Sequence, residues 1–192
     1  MGKYFGTDGM RGVAFETMNA SMAYRLGQAI ALDLKPQTVV IGMDTRQSSP
    51  MLAYGVSNGL LALGVNVLFA GVCSTPMIAN YSKKHGMIGV MITASHNPYT
   101  DNGIKVFQNG YKTSESLELR LESLMDAQKL YSGSLGELTL TDDVKKEYLN
   151  IYEKLSLKPS TLKIGYDSAH GANYIIAKEI FDQINQDSIQ IG

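Results

Sequence analysis

The most reactive combination of side chains in this sequence lies in the segment T-A-S-H-N-P at residues 93–98. Ser95 supplies a hydroxyl nucleophile, His96 supplies an imidazole, and Pro98 stiffens the end of the segment. A serine hydroxyl can accept a phosphoryl group and return it, which divides one transfer into two in-line steps when cations offset the charge. The alternative interpretation is an ordinary turn in which Ser95 and Asn97 satisfy backbone hydrogen bonds. A serine hydrolase is disfavoured because the segment lacks the G-x-S-x-G pattern and adjacent loop side chains seldom form a nucleophile–base pair.

Two further polar clusters contain arginines that suit a phosphate. The segment F-G-T-D-G-M-R-G at residues 5–12 has glycines that let backbone N–H groups approach an anion, and Arg11 can bind phosphate through two hydrogen bonds. The alternative is a tight turn with a solvated arginine. In the segment D-T-R at residues 44–46, the simplest interpretation is that local backbone N–H groups hold Asp44 and that Arg46 pairs with it.

These clusters follow the predicted strands of an α/β fold. Nearly continuous apolar runs at residues 39–43, 65–69 and 88–93 predict buried strands, and apolar stripes at helical spacing predict helices between them. The order strand, helix, strand, helix, strand is typical of a doubly wound fold, for which we expect a mixed, mainly parallel sheet with helices on both faces. Ligands bind outside the carboxyl ends of the strands in such sheets, where residues 44–46 and 93–98 fall.

Weaker signals mark the ends of helices and the later elements. Asn19 and Ser21 stand before an apolar stripe and predict the start of the first helix, while Asp142 predicts the start of another. Further segments are predicted as a strand at residues 102–107, a helix at residues 114–130, and a linker or irregular strand at residues 132–141.

The pattern T-x-x-I-G-x-D occurs twice, at residues 38–44 and at residues 161–167. Each copy is followed by a helical segment and then by a second strand candidate, which in the later copy is residues 188–191. We expect one domain at residues 1–150 and the truncated start of a similar domain at residues 151–192, so that the chain ends inside a domain.

Composition argues against several classes of protein. The 192 residues are 44% hydrophobic and 18% charged, which is typical of a globular protein. With 17 Lys and Arg against 18 Asp and Glu, the net charge of -1 argues against nucleic acid or an acidic membrane as a partner. No apolar run reaches the roughly 20 residues that span a bilayer. Cys73 is the only cysteine, and we expect it to be a buried apolar residue in a cytoplasmic protein.

Three segments carry a family resemblance: M-G-K-Y-F-G-T-D-G-M-R-G at residues 1–12, T-A-S-H-N-P at residues 93–98 and D-N-G-I-K at residues 101–105. They resemble the opening, the phosphoserine loop and the following strand of the α-D-phosphohexomutase superfamily, and within it of the bacterial phosphoglucosamine mutases. The resemblance extends over the whole chain, with residues 162–172 similar to the entry strand of a second domain. It implies an isomerase that moves phosphate between O6 and O1 of a hexose, converting glucosamine 6-phosphate to glucosamine 1-phosphate and back.

The resemblance also implies a role for each site residue. Ser95 would be phosphorylated at rest, donate its phosphoryl group to make a sugar bisphosphate, and then recover the other phosphoryl group. His96 would help to position the site, and Lys105 would transfer a proton or stabilise charge at the transferred group. The residues expected to bind phosphate or substrate are Thr7, Arg11, Arg46 and Asn97.

A Mg²⁺ cofactor, with Ser95 as a ligand through its phosphate, and a sugar bisphosphate activator are implied in the same way. The family's aspartate-rich metal loop, sugar-selecting loop and distal phosphate clamp belong to its second, third and fourth domains, and this sequence has none of the three loops. Asp167 matches the entry strand and is expected to be a turn residue. We therefore expect an N-terminal fragment that needs C-terminal domains as partners and is inactive alone. The alternatives are a phosphoglucomutase or phosphomannomutase, and a non-catalytic paralogue that acts as a binding or assembly module.

Overall fold

The structure is a computed structural model that describes residues 2–127, 131, 133–155, 158–185 and 187–191. Its helices are α1 (Ala20–Leu34), α2 (Ser49–Leu61), α3 (Thr75–His85), α4 (Glu115–Asp126), α5 (Asp143–Lys154) and α6 (Tyr174–Asp182). Its strands are β1 (Phe5–Gly6), β2 (Gly9–Val13), β3 (Thr38–Met43), β4 (Asn66–Val72), β5 (Ile88–Ile92), β6 (Asp101–Gln108), β7 (Tyr111–Lys112), β8 (Leu138–Leu140), β9 (Gly165–Tyr166) and β10 (Ile189–Gln190). In the part of the chain so described, no helix is long and apolar enough to cross a membrane.

Strands β1 to β8 form one mixed sheet in the order β1-β2-β6-β5-β3-β4-β8, with β7 paired to β6. Strands β5, β3, β4 and β8 run parallel, which confirms the predicted parallel portion. Strand β6 is antiparallel to both β5 and β2. It reverses because residues 93–100 return the chain directly beside β5, whereas a parallel neighbour needs a crossover of roughly a dozen residues. Residues 93–100, hereafter the serine loop, therefore lie at the carboxyl edge of the parallel strands.

Helices cover both faces of the sheet, as the doubly wound order predicts. One core contains buried Leu26, Leu52 and Leu121 from α1, α2 and α4, and the other contains Ile78, Leu149 and Ile176 from α3, α5 and α6. Cys73 belongs to the second core, and burial raises the pKa of its thiol to about 12. This thiol is therefore protonated at neutral pH and behaves as the small apolar residue that the sequence predicts.

Two helices begin where the sequence predicts, but only one of them is capped by the predicted residue. Asn19 caps α1, because its Oδ1 accepts a hydrogen bond of 3.0 Å from the backbone of Met22, whereas Ser21 lies inside the helix. Asp142 stands before α5, but its side chain makes no capping bond. Instead, Thr141 Oγ1 accepts the backbone N–H of the first residue of α5 at 3.1 Å.

Two later predictions are refined by the structure. The helix predicted at residues 114–130 is α4, which ends at Asp126, and residues 128–130 lie outside the described residues. Within the stretch 132–141, predicted as a linker or irregular strand, residue 132 is likewise outside them, and β8 forms a strand parallel to β4. This strand was hard to predict because it has only three residues and all three are exposed.

The second copy of the repeat forms a small βαβ unit of β9, α6 and β10, hereafter the second unit. Strands β9 and β10 pair in parallel, as expected for the repeat and for the strand predicted at residues 188–191. Asp167 Oδ1 accepts the backbone N–H of Ala169 at 2.6 Å, which makes it the expected turn residue. Helix α5 runs across the predicted boundary at residue 150, and the boundary itself stays a prediction.

Candidate active site

Ser95 lies exposed in the serine loop, with a φ of 57° in the left-handed region. Its backbone N–H donates to Thr93 Oγ1 at 2.9 Å, and the N–H of Asn97 donates to the Ala94 carbonyl at 3.1 Å, which closes the turn. A residue other than glycine in this conformation costs about 1–3 kcal/mol. The surrounding contacts must therefore hold the turn in place.

Arg46 provides most of those contacts. Its side chain is 11% exposed, and its Nε donates to Asp44 Oδ2 at 3.1 Å. The remaining donors go to backbone carbonyls of the serine loop and the first residue of β6: Ser95 at 3.0 Å, Asn97 at 2.8 Å, Pro98 at 2.6 Å and Asp101 at 3.0 Å. Every guanidinium N–H is thus occupied, so the geometry does not fit the phosphate-binding role predicted for Arg46. The pairing with Asp44 that the D-T-R segment predicts by itself is observed.

Buried polar side chains connect Asp44 and the start of β6 to the start of α2. Asp44 Oδ1 accepts the Ser49 hydroxyl at 2.6 Å. Asn102, fully buried in β6, donates from Nδ2 to Ser48 Oγ at 2.8 Å and to Ser49 Oγ at 3.0 Å. Its Oδ1 accepts the N–H of Gly103 at 2.8 Å. Asn102 was not among the predicted site residues, although it belongs to the D-N-G-I-K segment that carries the family resemblance.

Arg11 and Lys105 share one carboxylate beside the serine loop, that of Asp8. Arg11 Nη2 donates to Asp8 Oδ2 at 2.5 Å, and Lys105 Nζ donates to the same oxygen at 2.8 Å. Burial acts to raise the pKa of Asp8, but the hydrogen bond from Lys105 and the charges of both cations outweigh it and hold that pKa below its ordinary value. Two cations with one carboxylate leave a net positive charge, which favours a nearby phosphate.

Arg11 also contacts the serine loop and keeps unused donors. Its Nη1 donates to Asn97 Oδ1 at 2.9 Å, and Asn97 in turn donates to Asp101 Oδ2 at 2.9 Å. Arg11 Nε is buried and has no hydrogen-bond partner among the described residues. Nη1 and Nη2 of Arg11 each use one of their two N–H groups in the bonds above, so Arg11 is the predicted phosphate-binding arginine with N–H groups left for a phosphate.

The side chains of His96 and Thr7 take no part in the hydrogen bonds around Arg11. The distance of 3.4 Å from His96 Nδ1 to Ser95 Oγ exceeds the roughly 2.5–3.2 Å of a good hydrogen bond, so the two are not arranged as a nucleophile and its base. Thr7 is exposed in the turn between β1 and β2. Both residues line one groove, together with Asp8 and Arg11.

A separate cleft of about 860 Å³ is lined by Ser95, Lys105 and residues 169–173 of the second unit. Thr45 Oγ1 donates to the carbonyl of His170 at 2.8 Å, which joins the second unit to the D-T-R segment. His170 has a φ of 51° and lies in the turn between β9 and α6. Its position at the cleft was not predicted, because the contact depends on how the two units pack.

The carboxylates near Ser95 do not fit a magnesium site by themselves. Mg²⁺ takes roughly six oxygen ligands. The nearby carboxylates are each engaged by other groups: Asp8 by Arg11 and Lys105, Asp44 by Arg46 and Ser49, and Asp101 by Asn97. Among the residues that the structure describes, no group of three or more His, Cys, Asp and Glu can hold a metal ion.

Comparison with known proteins gives the family. Residues 2–132 match the model of the phosphoglucomutase/phosphomannomutase α/β/α domain I. Phosphoglucosamine mutases of Caldicellulosiruptor bescii and Macrococcus caseolyticus are 40% and 41% identical to this chain over 207 residues, covering 100% of it and 46% of their own length. A phosphoglucomutase/phosphomannomutase family protein of Burkholderia thailandensis superposes with a TM-score of 0.81 at 24% identity, covering 98% of this chain and 43% of that structure.

The chain spans about half the length of the curated relatives that it matches. The likeness to the Burkholderia thailandensis structure supports the fold, and the match over residues 2–132 contains the whole serine loop and the Arg11 segment. The chain belongs to the phosphoglucomutase/phosphomannomutase family.

Proposed function

We propose that this chain supplies the phosphoryl-carrying part of the active site of a phosphoglucosamine mutase, an isomerase that interconverts glucosamine 6-phosphate and glucosamine 1-phosphate. The observation that carries the proposal is the exposed Ser95 hydroxyl, presented by a fixed left-handed turn beside the cations Arg11 and Lys105. The names of the relatives at 40% and 41% identity support glucosamine phosphate as the substrate. The single buried thiol, Cys73, supports the cytoplasm as the location.

In the proposed reaction, phosphate moves by way of Ser95. The bond between phosphorus and Ser95 Oγ breaks as the free hydroxyl of a hexose monophosphate bonds to phosphorus, and the hydroxyl proton is passed to Ser95 Oγ. The product is a hexose bisphosphate, which then reverses its orientation. Ser95 Oγ next attacks the other phosphate, its proton passes to the departing sugar oxygen, and Ser95 is phosphorylated again. A sugar bisphosphate activator would load Ser95 at the outset.

The cations would act on the transferred group. Arg11 has one N–H left on each of Nη1 and Nη2 for a phosphate on Ser95. Lys105 can exchange its bond to Asp8 for one to the phosphoryl group, where it stabilises charge or carries the proton. Mg²⁺, bound by the Ser95 phosphate together with ligands from outside this chain, would neutralise further charge. For the remaining residues we propose that Asn97 orients Arg11 and that His96 and Thr7 line the approach of the substrate.

The test is a chimera in which this chain replaces the matching 46% of the Caldicellulosiruptor bescii relative. With glucosamine 6-phosphate, Mg²⁺ and a hexose 1,6-bisphosphate, the chimera should turn over at an ordinary rate of about 1–1000 s⁻¹. The 192-residue chain alone should show no turnover, because the proposed metal ligands and sugar contacts come from elsewhere.

Three results would revise this proposal. A folded chimera that converts glucose or mannose phosphate and not glucosamine phosphate would change the substrate. A folded chimera that is inactive with all three sugars would contradict the mutase function. Turnover by the 192-residue chain alone would mean that the active site is complete within it.

A further inference from the structure

The serine loop is wrapped around the guanidinium of one arginine, Arg46. We propose that Arg46 is a positioning residue for phosphoryl transfer: it does not touch the phosphate, but it fixes the main chain of the serine loop so that Ser95 keeps its left-handed turn. The role in catalysis rests on the function proposed above. The role in shaping the loop rests on the contacts alone.

The guanidinium holds two parts of the loop at once. Nη2 donates to the carbonyls of Ser95 and Asn97, and Nη1 donates to those of Pro98 and Asp101. Carbonyl oxygens on both sides of the proline can converge on one point only if the chain curls around it. A rigid planar fork sets that curvature, and a lysine ammonium, which is a point charge with three donors, cannot reproduce it.

The bond to the Ser95 carbonyl has a specific consequence for the conformation of that residue. The Ser95 N–H is held by Thr93 Oγ1 at 2.9 Å, and the Ser95 carbonyl is held by Arg46 Nη2 at 3.0 Å. These groups belong to the two peptide planes that flank the Ser95 Cα, so fixing both planes fixes its φ and ψ. The left-handed turn, which is unfavourable by itself, is thereby maintained, and with it the direction of the hydroxyl.

Arg46 is itself held rigidly. Its Nε donates to Asp44, the two side chains are 11% and 12% exposed, and Asp44 is fixed by the Ser49 hydroxyl at the start of α2. The contacts thus run from a helix through an ion pair to the loop. Because every N–H of the Arg46 guanidinium is used in these bonds, Arg46 acts through Ser95 and leaves phosphate binding to Arg11.

The kinetic test uses the active chimera and compares Arg46→Lys with Arg120→Lys. Arg120 pairs with Asp33 through two hydrogen bonds and lies on α4, so its conservative replacement is a matched control. Arg46→Lys should lower kcat by about 100-fold, the order of loss expected from a misplacement near 1 Å, while KM changes less than about threefold. Arg120→Lys should leave both constants unchanged. A rise in KM at constant kcat in Arg46→Lys would indicate direct phosphate binding and overturn the proposal, as would wild-type kinetics.

Chemical rescue and hydrogen exchange provide readouts that separate positioning from loss of folding. Methylguanidinium added to Arg46→Ala should restore at least tenfold of the lost kcat, and it should not improve Arg46→Lys, whose side chain fills the site. In the 192-residue chain, Arg46→Lys should speed amide exchange at Ser95 and Asn97 at least tenfold, with no change at Val90 in β5.

The two proposals fail in different ways. An inactive wild-type chimera would remove the mutase function and leave the exchange experiment to decide on Arg46. Unchanged exchange at Ser95 and Asn97, or absence of rescue in a folded Arg46→Ala protein, would overturn the positioning role even if the chimera is fully active.

Discussion

In the proposed phosphoryl transfer, we expect Lys105 to stabilise the charge that develops on the transferred group. Its side chain is 13% exposed, and its ammonium is held by Asp8, a carboxylate that it shares with Arg11. A lysine at the edge of a cleft can move its ammonium over several ångströms, unlike the clamped Arg46. Charge stabilisation by such a group is strongest in the transition state, when the phosphoryl group is between its two oxygens.

We expect Lys105→Ala in the chimera to lower kcat by roughly 100-fold to 1000-fold with little change in KM. Lys163→Ala, which removes an exposed lysine before β9, serves as the control and should behave like the parent. Steady-state kinetics with glucosamine 6-phosphate measure both constants. An effect of Lys105→Ala confined to KM would place Lys105 in ground-state binding and contradict its proposed role.

The residues around Ser95 were predictable from the sequence, but the partners of their hydrogen-bond donors were not. The D-T-R segment alone correctly predicts the pairing of Asp44 with Arg46, because this contact is local. The family resemblance also implies that Arg46 binds phosphate, but its other hydrogen bonds leave no N–H for a phosphate. Those bonds reach Pro98, which is 52 positions away in the chain, so only the tertiary structure shows that no donor remains.

A carboxylate on α4 fixes the opening segment, which leads into β1. Glu122 is 6% exposed and accepts the backbone N–H groups of Lys3, Tyr4 and Phe5 at 2.8, 2.6 and 2.7 Å. Burial acts to raise the pKa of Glu122, but the three N–H bonds outweigh it and keep that pKa below its ordinary value of 4.5. Glu122 therefore holds residues 3–5 at the start of β1, the strand that leads to Asp8 and Arg11.

The lowered pKa of Glu122 predicts acid sensitivity. The stabilisation is fully present above the ordinary pKa of the unfolded chain and is lost as pH falls through the lower pKa of the folded protein. We expect Glu122→Gln to reduce the free energy of unfolding by about 1–3 kcal/mol at pH 7, and the difference from the parent to shrink below pH 4.5. Urea unfolding at a series of pH values measures this difference, with Glu153→Gln, which changes an exposed residue of α5, as the control. A difference that is independent of pH would show that the charge of Glu122 does not stabilise the opening segment.

Gly103 explains why β6 can pass so close to the base of the serine loop. A Cβ at this position would lie 2.5 Å from the Met10 carbonyl oxygen and 2.7 Å from that of Thr93. Gly103→Ala should therefore destabilise the protein by about 1–3 kcal/mol through overpacking. Gly133→Ala is the matched control, because the nearest atom to its Cβ would be 3.7 Å away. Equal urea midpoints for the two variants would show that the close approach is not constrained.

Elements with strong apolar runs were predictable, and those whose placement depends on pairing were not. Strands β3, β4 and β5 follow directly from their apolar runs, which are buried throughout in β5 and only at Val67 and Phe69 in β4. The direction of β6 depends on the short serine loop, and β8 has three exposed residues, so its position beside β4 depends on backbone pairing. Caps behave likewise: Asn19 acts locally as predicted, whereas the cap of α5 comes from Thr141.

For the whole molecule, the repeat in the sequence was the most informative signal. It correctly indicated a second βαβ unit. The structure places the turn of that unit, residues 169–173, in the lining of the cleft that contains Ser95. The bond from Thr45 to the His170 carbonyl lies next to Arg46, so contacts of the second unit and of the serine loop meet in one short segment. A pattern of letters cannot predict such a contact, since it depends on the packing of the two units.

The proposed function depends most on Ser95 as the carrier of the phosphoryl group, and locating the phosphate tests this directly. After incubation with a hexose 1,6-bisphosphate, the chimera should carry one phosphate, and fragment mass spectrometry should locate it on Ser95. Ser95→Ala should carry none and lose several orders of magnitude in turnover, whereas Ser116→Ala on α4 should match the parent. A phosphate on any other residue, or near-parental turnover in Ser95→Ala, would contradict the account.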